Sequence, residues 1–349
     1  MIIHSEEAYS ANFKRLVDFM SEHELNGLVI WGFLRDTHGG VNAALELSEY
    51  ADSMGVRIIP GVGVNSYGGF WYTGDHEFSL DDWLGKHPEL RAIGKDGKPV
   101  YWSWPEGIDP SVHTNACPSK AETKEWYLSG IEWLFETFPI GGIFFETGDI
   151  GTLCFCQDCL KEAHHRGDEE GNVSFADMQR TLPPLVERAH RTKPDAWIIY
   201  ATYRLWDIES AKLSSGFGRT IPEYALADWS YAHDPRDILI DNIDALKVFR
   251  EGIRPPTKHN LIYASYGGHY PAFGMDGKPH YKQISRLCRK CSEMGIEGLT
   301  VYGEVSDSFD DSNQKRYSEI NYLALQEFSN DPEMSVEEFE DRHRDRLPT

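Results

Sequence analysis

The sequence predicts an α/β fold, specifically a (β/α)8 TIM-type barrel with a short or incomplete first strand and a long third βα loop. Three observations favour it. Short apolar runs recur along the 349 residues, an amphipathic segment precedes most of them, and charged or polar residues follow them. This alternation is typical of βα units around a parallel sheet. A doubly wound open sheet is the alternative, but no strand is followed by a glycine-rich phosphate-binding fingerprint.

The first part of the chain alternates helix and strand. Residues 5–23 form an amphipathic pattern, residues 27–33 an apolar run, residues 40–54 a second helical pattern and residues 56–64 a second buried run. Residues 65–118 follow as a long irregular stretch rich in tryptophan and tyrosine. A loop of this length in a compact domain is either functional or a wrong element assignment, and its aromatic residues favour function.

The next unit brings the helix and strand that lead to the cysteines. Ser119 and Glu122 have the spacing of a capping box, which predicts a helix beginning there. That helix leads to Ile143-Phe144-Phe145, a run typical of a strand buried on both faces, which ends at Glu146.

The rest of the chain continues the alternation. Further helices are predicted over 182–192, 236–251, 281–294 and 313–328, and further strands over 196–203, 225–231, 261–266 and 298–302. Seven strands are clear and eight close a barrel, so we interpret Ile2-Ile3 as the remnant of the first strand. We expect residues 1–330 to form the catalytic barrel. Residues 331–349, where Ser335 and Glu338 form a second capping box, form a charged helix that could lead to a further module.

Composition limits the partners of the protein. The formal net charge of −22 argues against nucleic acid or an anionic membrane as partner, since both require a basic face. No apolar run approaches the roughly 20 residues of a membrane span, and the first residues do not resemble a signal peptide. The six cysteines favour reduced thiols in a cytoplasm over a disulfide framework. The sequence leaves the oligomeric state open, with a homo-oligomer among the expectations.

Four cysteines form a candidate metal site. Cys154, Cys156 and Cys159 are closely spaced, and Cys117 precedes the helix that leads to their strand. Because zinc prefers four thiolate or imidazole ligands in closed structural sites, we predict one structural Zn²⁺, with His164 or His165 as substitute ligands. Free thiols on a loop are the alternative. Four thiolates leave no open position for a catalytic zinc. Cys288 and Cys291 have helical spacing and are predicted to be buried core thiols.

Carboxylates follow two of the predicted strands. Glu146 and Asp149 follow one, and Glu304 and Asp307 follow the last. Hydrolysis of a glycosidic bond needs one carboxyl group as proton donor and another as nucleophile or base. We predict Glu146 as general acid/base, Glu304 as the opposing carboxylate and Asp149 as a helper, with Asp228 and Asp307 in reserve. Ordinary salt bridges and hydrogen bonds at strand ends are the alternative for each.

Aromatic and polar side chains near the same strand ends suggest a sugar ligand. Sugar rings lie flat on aromatic faces and leave their hydroxyls for polar groups. For any single aromatic residue, core packing explains the position at least as well. The predicted substrate-binding residues are Trp31, Arg35, His38, Trp102, Trp104, Tyr203, Arg204, Asp228, Tyr231, Tyr266, His269 and Asp307.

One family shares the order of these features over residues 83–159. The matching pieces are the segment 83–90 (WLGKHPEL), the segment 95–98 (KDGK), Cys117-Pro118-x-Lys120, the strand ending in Glu146, and Cys154-x-Cys156-x-x-Cys159. This order resembles family 42 glycoside hydrolases, zinc-containing β-galactosidases with a (β/α)8 barrel. The resemblance implies that the four cysteines bind one zinc ion and that Glu146 is the general acid/base. Two positions depart from the family: Phe145 replaces an asparagine, and the seventh strand ends in Tyr-Gly-Gly-His, where the family has its nucleophilic glutamate.

The predicted function is therefore a glycosidase acting on a carbohydrate, with zinc holding the loop after the fourth strand. Two alternatives remain open. A metal-dependent sugar lyase or isomerase would use imidazoles near strand ends, namely those of His38, His113, His233 and His269, with Asp228 or Glu304. A non-catalytic carbohydrate-binding barrel, as one module of a longer chain, is the other.

Overall fold

A computed structural model describes ten segments of the chain, residues 5–103, 111–146, 153–161, 175–201, 221–229, 259–264, 269–270, 275–276, 279–301 and 312–347. Their strands, in chain order, are β1 Gly27–Ile30, β2 Arg57–Gly63, β3 Tyr101–Ser103, β4 Val112–Thr114, β5 Gly142–Glu146, β6 Trp197–Ala201, β7 Leu226–Trp229, β8 Asn260–Ala264, β9 His269–Tyr270, β10 Met275–Asp276 and β11 Gly298–Val301. Their α-helices are α1 Glu6–Glu22, α2 Gly40–Ser53, α3 Leu80–Lys86, α4 Ala121–Thr137, α5 Gln157–Lys161, α6 Phe175–Thr192, α7 Tyr281–Met294, α8 Ser312–Asn330 and α9 Val336–Arg342.

The main sheet has seven parallel strands in the order β1-β2-β5-β6-β7-β8-β11. These are the seven strands expected from the sequence, and their order in space is their order along the chain. The sheet curls into a half-barrel, and in the described part of the chain β11 and β1 are not paired. Ile2-Ile3, the expected remnant of a first strand, lies outside the described residues.

The two faces of the sheet carry different layers. Ile143 and Phe145 of β5 pack on the helices in the main core, whereas Phe144 belongs to a smaller cluster on the inner face. Because successive side chains of a strand point to opposite faces, Glu146 shares the inner face with Phe144. Burial on both faces explains why these strands are nearly continuous apolar runs.

Most predicted helices are confirmed within one or two residues, but the capping box at the start of α4 is wrong. The N-cap of α4 is Lys120, without a side-chain cap, and the Ser119 hydroxyl instead lies 3.0 Å from the Cys159 sulfur. The capping box at Ser335 is confirmed, since its hydroxyl accepts from the Glu338 N–H at 3.0 Å.

Helix α6 begins seven residues earlier than the predicted residue 182 and carries Pro183 and Pro184 inside it. Prolines are usually found in the first turn of a helix, whereas these two lie inside it. The helix predicted over 236–251 lies outside the described residues. At the end of the chain, α9 packs on α7 and α8 through the buried ring of Phe339.

The long loop between β2 and α4, which we number as the third βα loop of the predicted barrel, is not irregular. It contains the helix α3 and the antiparallel pair β3–β4, in which Trp102 pairs with His113. Among the described helices, none is long and apolar enough to cross a membrane.

Candidate active site

Glu146 is fixed by its own backbone at the end of β5. It pairs in register with Gly63 of β2, and its carbonyl accepts a hydrogen bond from the Val64 N–H at 2.6 Å. The residue is buried. A carboxylate on the inner face at the carboxyl end of a central parallel strand stands where α/β folds place their chemistry.

Asp228 brings a second carboxylate to the inner face. It lies on β7, pairs with Ala201 of β6 and Leu261 of β8, and is almost completely buried. The Thr300 hydroxyl of β11 lies 3.2 Å from both of its carboxylate oxygens. Burial raises the pKa of Asp228 to about 7, and the hydrogen bond from Thr300 opposes this only in part.

Trp31 lies on the same face, over β2. A Cβ atom at Gly61 would come within 2.7 Å of its indole ring, so only glycine allows the ring to lie there. The indole contacts Phe144 edge-on at 6.1 Å between centroids and Tyr67 at 5.8 Å. Trp31 thus contacts Phe144, which lies two residues before Glu146 on β5, and its role in substrate binding stays a prediction.

Tyr67 connects the inner face to the third loop and was not singled out from the sequence. Its Cβ lies only 2.6 Å from where a Cβ of Gly63 would stand, so Tyr67 occupies the space beside the register partner of Glu146. Its ring meets Trp102 at 4.8 Å and His113 at 5.9 Å. Tyr67 has a positive φ of 50° and Asn65 one of 63°. Positive φ is uncommon in residues with a side chain and often marks a functional site, but it is invisible in the sequence.

Two other predicted substrate-binding residues lie in different surroundings. The guanidinium of Arg35 stands 5.3 Å from the centre of the Tyr72 ring and donates to the Ser111 hydroxyl at 3.3 Å. The ring of His38 bonds the Gly32 carbonyl through Nδ1 at 2.6 Å and stacks on Tyr9 of α1 at 4.6 Å. Arg35 thus adjoins the aromatic residues of the third loop, whereas the described contacts of His38 are those of a packed core residue.

Several predicted site residues cannot be placed. The side chain of His269, on β9, lies outside the described residues, as do His164, His165, His233 and the following predicted site residues: Trp104, Asp149, Tyr203, Arg204, Tyr231, Tyr266, Glu304 and Asp307.

The four predicted metal ligands come together. The sulfur atoms of Cys117, Cys154, Cys156 and Cys159 all lie within 4.8 Å of one another, and that of Cys117 is 3.7 Å from Cys156 and 3.6 Å from Cys159. Within the residues that the structure describes, this is the only group of three or more histidine, cysteine or acidic side chains arranged to hold a metal ion. Hydrogen bonds from the other thiols hold the pKa of Cys154 well below its usual range, so one thiolate is already favoured.

The cysteine cluster joins three parts of the chain. The Cys117 N–H bonds the Leu90 carbonyl at 2.8 Å, the Phe155 N–H bonds the Ile93 carbonyl at 2.6 Å, and the Ile93 N–H points at the Cys154 sulfur at 3.4 Å. The cluster is therefore attached more directly to the third loop than to Glu146.

Cys288 and Cys291 are buried in α7, as predicted for core thiols. Burial raises the pKa of Cys288 to about 11 and that of Cys291 to about 12, so both stay protonated at neutral pH.

Comparison with known proteins adds information on the fold. No protein-family model and no curated protein matches the chain. Among solved structures, a mutant O-GlcNAc hydrolase from Thermobaculum terrenum is similar over 97% of this chain and 60% of its own, with 11% identity and a TM-score of 0.56. A β-N-acetylhexosaminidase from Bacteroides fragilis is similar over 97% of this chain and 67% of its own, with 12% identity and a TM-score of 0.56.

A maltogenic α-amylase from Thermotoga neapolitana is similar over 91% of this chain and 73% of its own, with 9% identity and a TM-score of 0.51. The chain thus spans about 60% of the first of these proteins. At such low identity the likeness shows the fold, a TIM-like fold that these glycoside hydrolases share.

Proposed function

We propose that this chain is a glycoside hydrolase in which Glu146 is the general acid/base. The observation that carries the proposal is the position of Glu146, a buried carboxylate at the carboxyl end of a central strand on the inner face. The likeness to a hexosaminidase, an O-GlcNAc hydrolase and an amylase supports a carbohydrate substrate at the level of the fold. The sugar itself is left open.

In the proposed reaction, the carboxyl group of Glu146 gives its proton to the glycosidic oxygen as the bond to the anomeric carbon breaks. A second carboxylate then stabilises or attacks the anomeric carbon, or activates a water there. Asp228 is the candidate among the described residues, and Glu304, with Asp149 and Asp307, remains a candidate outside them. The rings of Trp31 and Tyr67 provide apolar faces for the sugar beside Glu146.

We also propose that the four cysteines bind one structural Zn²⁺. Tetrahedral zinc with Zn–S bonds of about 2.3 Å sets its sulfur ligands about 3.8 Å apart. The distances of 3.7 Å and 3.6 Å from the Cys117 sulfur fit this value. Bound zinc would supply a covalent cross-link between segments, with no open position for substrate. By their hydrogen bonds, the cysteines hold residues 90–93 against residues 154–159.

Neither alternative function is favoured by a described feature. A metal-dependent lyase or isomerase needs a second, open metal site, and the described residues group ligands only at the four cysteines. A homo-oligomeric assembly, and the division into a barrel over 1–330 and a terminal segment 331–349, stay proposals. So does a barrel closed by an eighth strand.

The experiment is a screen of aryl glycosides with the purified protein and its Glu146→Gln variant. The 4-nitrophenyl β-galactoside, β-N-acetylglucosaminide and α-glucoside are the first substrates. We expect turnover of at least one of them, and a loss of roughly 10²- to 10⁴-fold in the variant, which is the usual contribution of general acid/base catalysis.

The matched control is Glu136→Gln, the same change at an exposed position of α4, which should leave turnover unchanged. Equal turnover by wild type and Glu146→Gln would remove Glu146 from catalysis. Binding of a sugar without turnover of any glycoside would favour the non-catalytic barrel instead.

A further inference from the structure

Asp81, which is partly exposed, pairs with the buried His113 in the third loop. Nδ1 of His113 lies 2.8 Å from Oδ2 of Asp81, and Oδ1 of the same carboxylate accepts from the Thr114 N–H at 2.5 Å. The side chain of His113 is completely buried. Because the carboxylate can only accept, Nδ1 of the imidazole carries the proton, and the ring is held in one orientation.

The other ring nitrogen of His113, Nε2, makes no hydrogen bond within the described structure. Nε2 of His113 is shielded from solvent and has no hydrogen-bond partner among the described residues. With the proton on Nδ1, Nε2 of the neutral ring is a hydrogen-bond acceptor. A buried acceptor without a partner costs free energy, so it usually has a bound water or a ligand.

Three aromatic rings surround the imidazole ring of His113. The His113 ring is nearly parallel to Trp102, at 5.9 Å and 13°, and meets the ring of Tyr72 edge-on at 4.8 Å. Tyr67 is the third aromatic neighbour of His113. It lies beside Gly63, which pairs in register with Glu146. The surroundings of His113 therefore continue directly into the candidate active site.

A second unpartnered acceptor lies in the same loop. Oδ1 of Asn65 is buried and has no partner among the described residues, although its backbone N–H and carbonyl are bonded to Tyr127 and Ala116. Each of these acceptors needs a group that donates a hydrogen bond. A sugar hydroxyl does so, whereas a carboxylate or a phosphate does not.

We propose that His113 is a substrate-positioning residue whose Nε2 accepts a hydrogen bond from a hydroxyl of a neutral sugar held beside Glu146, with Asp81 fixing the ring. The inference rests on the proposed function, because the ligand is the sugar on which Glu146 acts. It narrows the substrate class to sugars whose group facing His113 is a free hydroxyl. Sugars with a carboxylate or phosphate at that position are excluded.

The direct test is ¹⁵N NMR of the imidazole groups in the wild-type protein, with D-galactose, D-glucose and N-acetyl-D-glucosamine as added probes. The His113 signals are assigned by their loss in His113→Gln. We expect one sugar to shift the Nε2 signal of His113 in a saturable way. The control is His343, which bonds Glu327 at 2.5 Å on the far helices and should not move.

The kinetic test compares Asp81→Asn with Asp82→Asn on whichever aryl glycoside is turned over. Asp82 occupies the next position of α3 and bonds Lys86 rather than His113. Losing the fixed orientation should raise KM about 3- to 10-fold in Asp81→Asn, with kcat less affected, the effect of one hydrogen bond to a neutral partner. Asp82→Asn should behave as wild type. His113→Gln, which keeps a polar group at that place, should retain more affinity than His113→Phe.

The outcomes separate this inference from the proposed function. Glycoside turnover with an unmoved Nε2 signal and unchanged KM in Asp81→Asn would mean that His113 holds only a trapped water, which overturns the inference and leaves the hydrolase. A shifted Nε2 signal without any turnover would support the inference and count against hydrolysis. The kinetic test changes Asp81 and leaves His113 in place, so it decides the matter even if His113→Gln, and with it the NMR assignment, fails because the variant does not fold.

Discussion

Glu146 and Asp228 lie at one level of the sheet and on one face, with only the methyl group of Ala201 between them. Ala201 pairs with Asp228, and the preceding pair, Phe145 with Tyr200, makes Glu146 the neighbour of Ala201 on the other side. Adjacent strands are about 4.8 Å apart, so the two α-carbons are separated by roughly 10 Å. Both side chains project from the inner face of the curled sheet, with one small residue between them.

The stability of the protein should depend on pH through Asp228. Burial raises its pKa from 3.8 to about 7. Between these two pH values the unfolded chain loses the proton while the folded protein keeps it, so the free energy of unfolding falls as pH rises. At 1.36 kcal/mol per unit of pKa, the decrease is on the order of 4 kcal/mol and is complete above pH 7.

The measurement is urea unfolding of wild type and Asp228→Asn at several pH values between 4 and 8. The variant cannot ionise here and can still accept from Thr300, so wild type should lose stability relative to it as pH rises. Asp82→Asn, an identical change at a partly exposed carboxylate that bonds Lys86, should show no such trend. A difference between wild type and Asp228→Asn that stays constant, or that grows in favour of wild type, would show that Asp228 is ionised in the folded protein.

A methyl group at Gly61 should disturb sugar binding more than folding. In Gly61→Ala the new Cβ stands 2.7 Å from the Trp31 indole, which must move away from the inner face. Trp31 is only partly buried, so the ring can shift at a modest cost in stability. We expect KM for a glycoside to rise several-fold, and the tryptophan fluorescence to change.

Gly85→Ala is the matched control for that substitution. Gly85 lies in α3 with no atom within 4 Å of an added Cβ, and alanine favours helix by up to about 1 kcal/mol. This variant should bind as wild type and be equally or more stable. An unchanged KM in Gly61→Ala would place the sugar away from Trp31.

The features of the fold and of the candidate site that arise from neighbouring residues were predictable from the sequence. The strand Ile143-Phe144-Phe145 was predictable because burial on both faces leaves a continuous apolar run, and Glu146 was visible because it interrupts that run. The four cysteines were visible because few roles suit such close spacing. Each of these signals lies in neighbouring residues.

The features that were missed depend on contacts between distant residues. Tyr67 reaches Trp102 and His113 because the backbone turns sharply after Gly63, with positive φ at residues that have side chains. No periodicity records such a turn. Ser119 had the correct spacing for a cap, but a sulfur 40 positions further along the chain competes for its hydroxyl.

Removing one cysteine of the cluster should release the metal and destabilise the third loop. Cys156→Ser leaves three thiols, so we expect zinc content measured by elemental analysis to fall well below one equivalent, and the melting temperature to fall with it. Cys291→Ser makes the same change in the α7 core and should leave the zinc content as in wild type. Wild-type protein that contains no zinc when purified from zinc-supplemented cells would contradict the proposed site.

Ser119 and Ser335 allow the last prediction, since the two serines have capping-box spacing but only one caps a helix. Ser335→Ala removes the hydroxyl that accepts from the Glu338 N–H, and should lower the free energy of unfolding by about 1 kcal/mol.

Ser119→Ala removes a hydrogen bond to the Cys159 sulfur instead. Partners of metal ligands typically contribute 10- to 100-fold in metal affinity, so this variant should lose zinc to a competing chelator at a lower chelator concentration than wild type. Ser335→Ala should retain zinc as wild type does. If Ser119→Ala lost stability in the metal-free protein as much as Ser335→Ala, and kept its zinc affinity, the hydroxyl would be a helix cap after all.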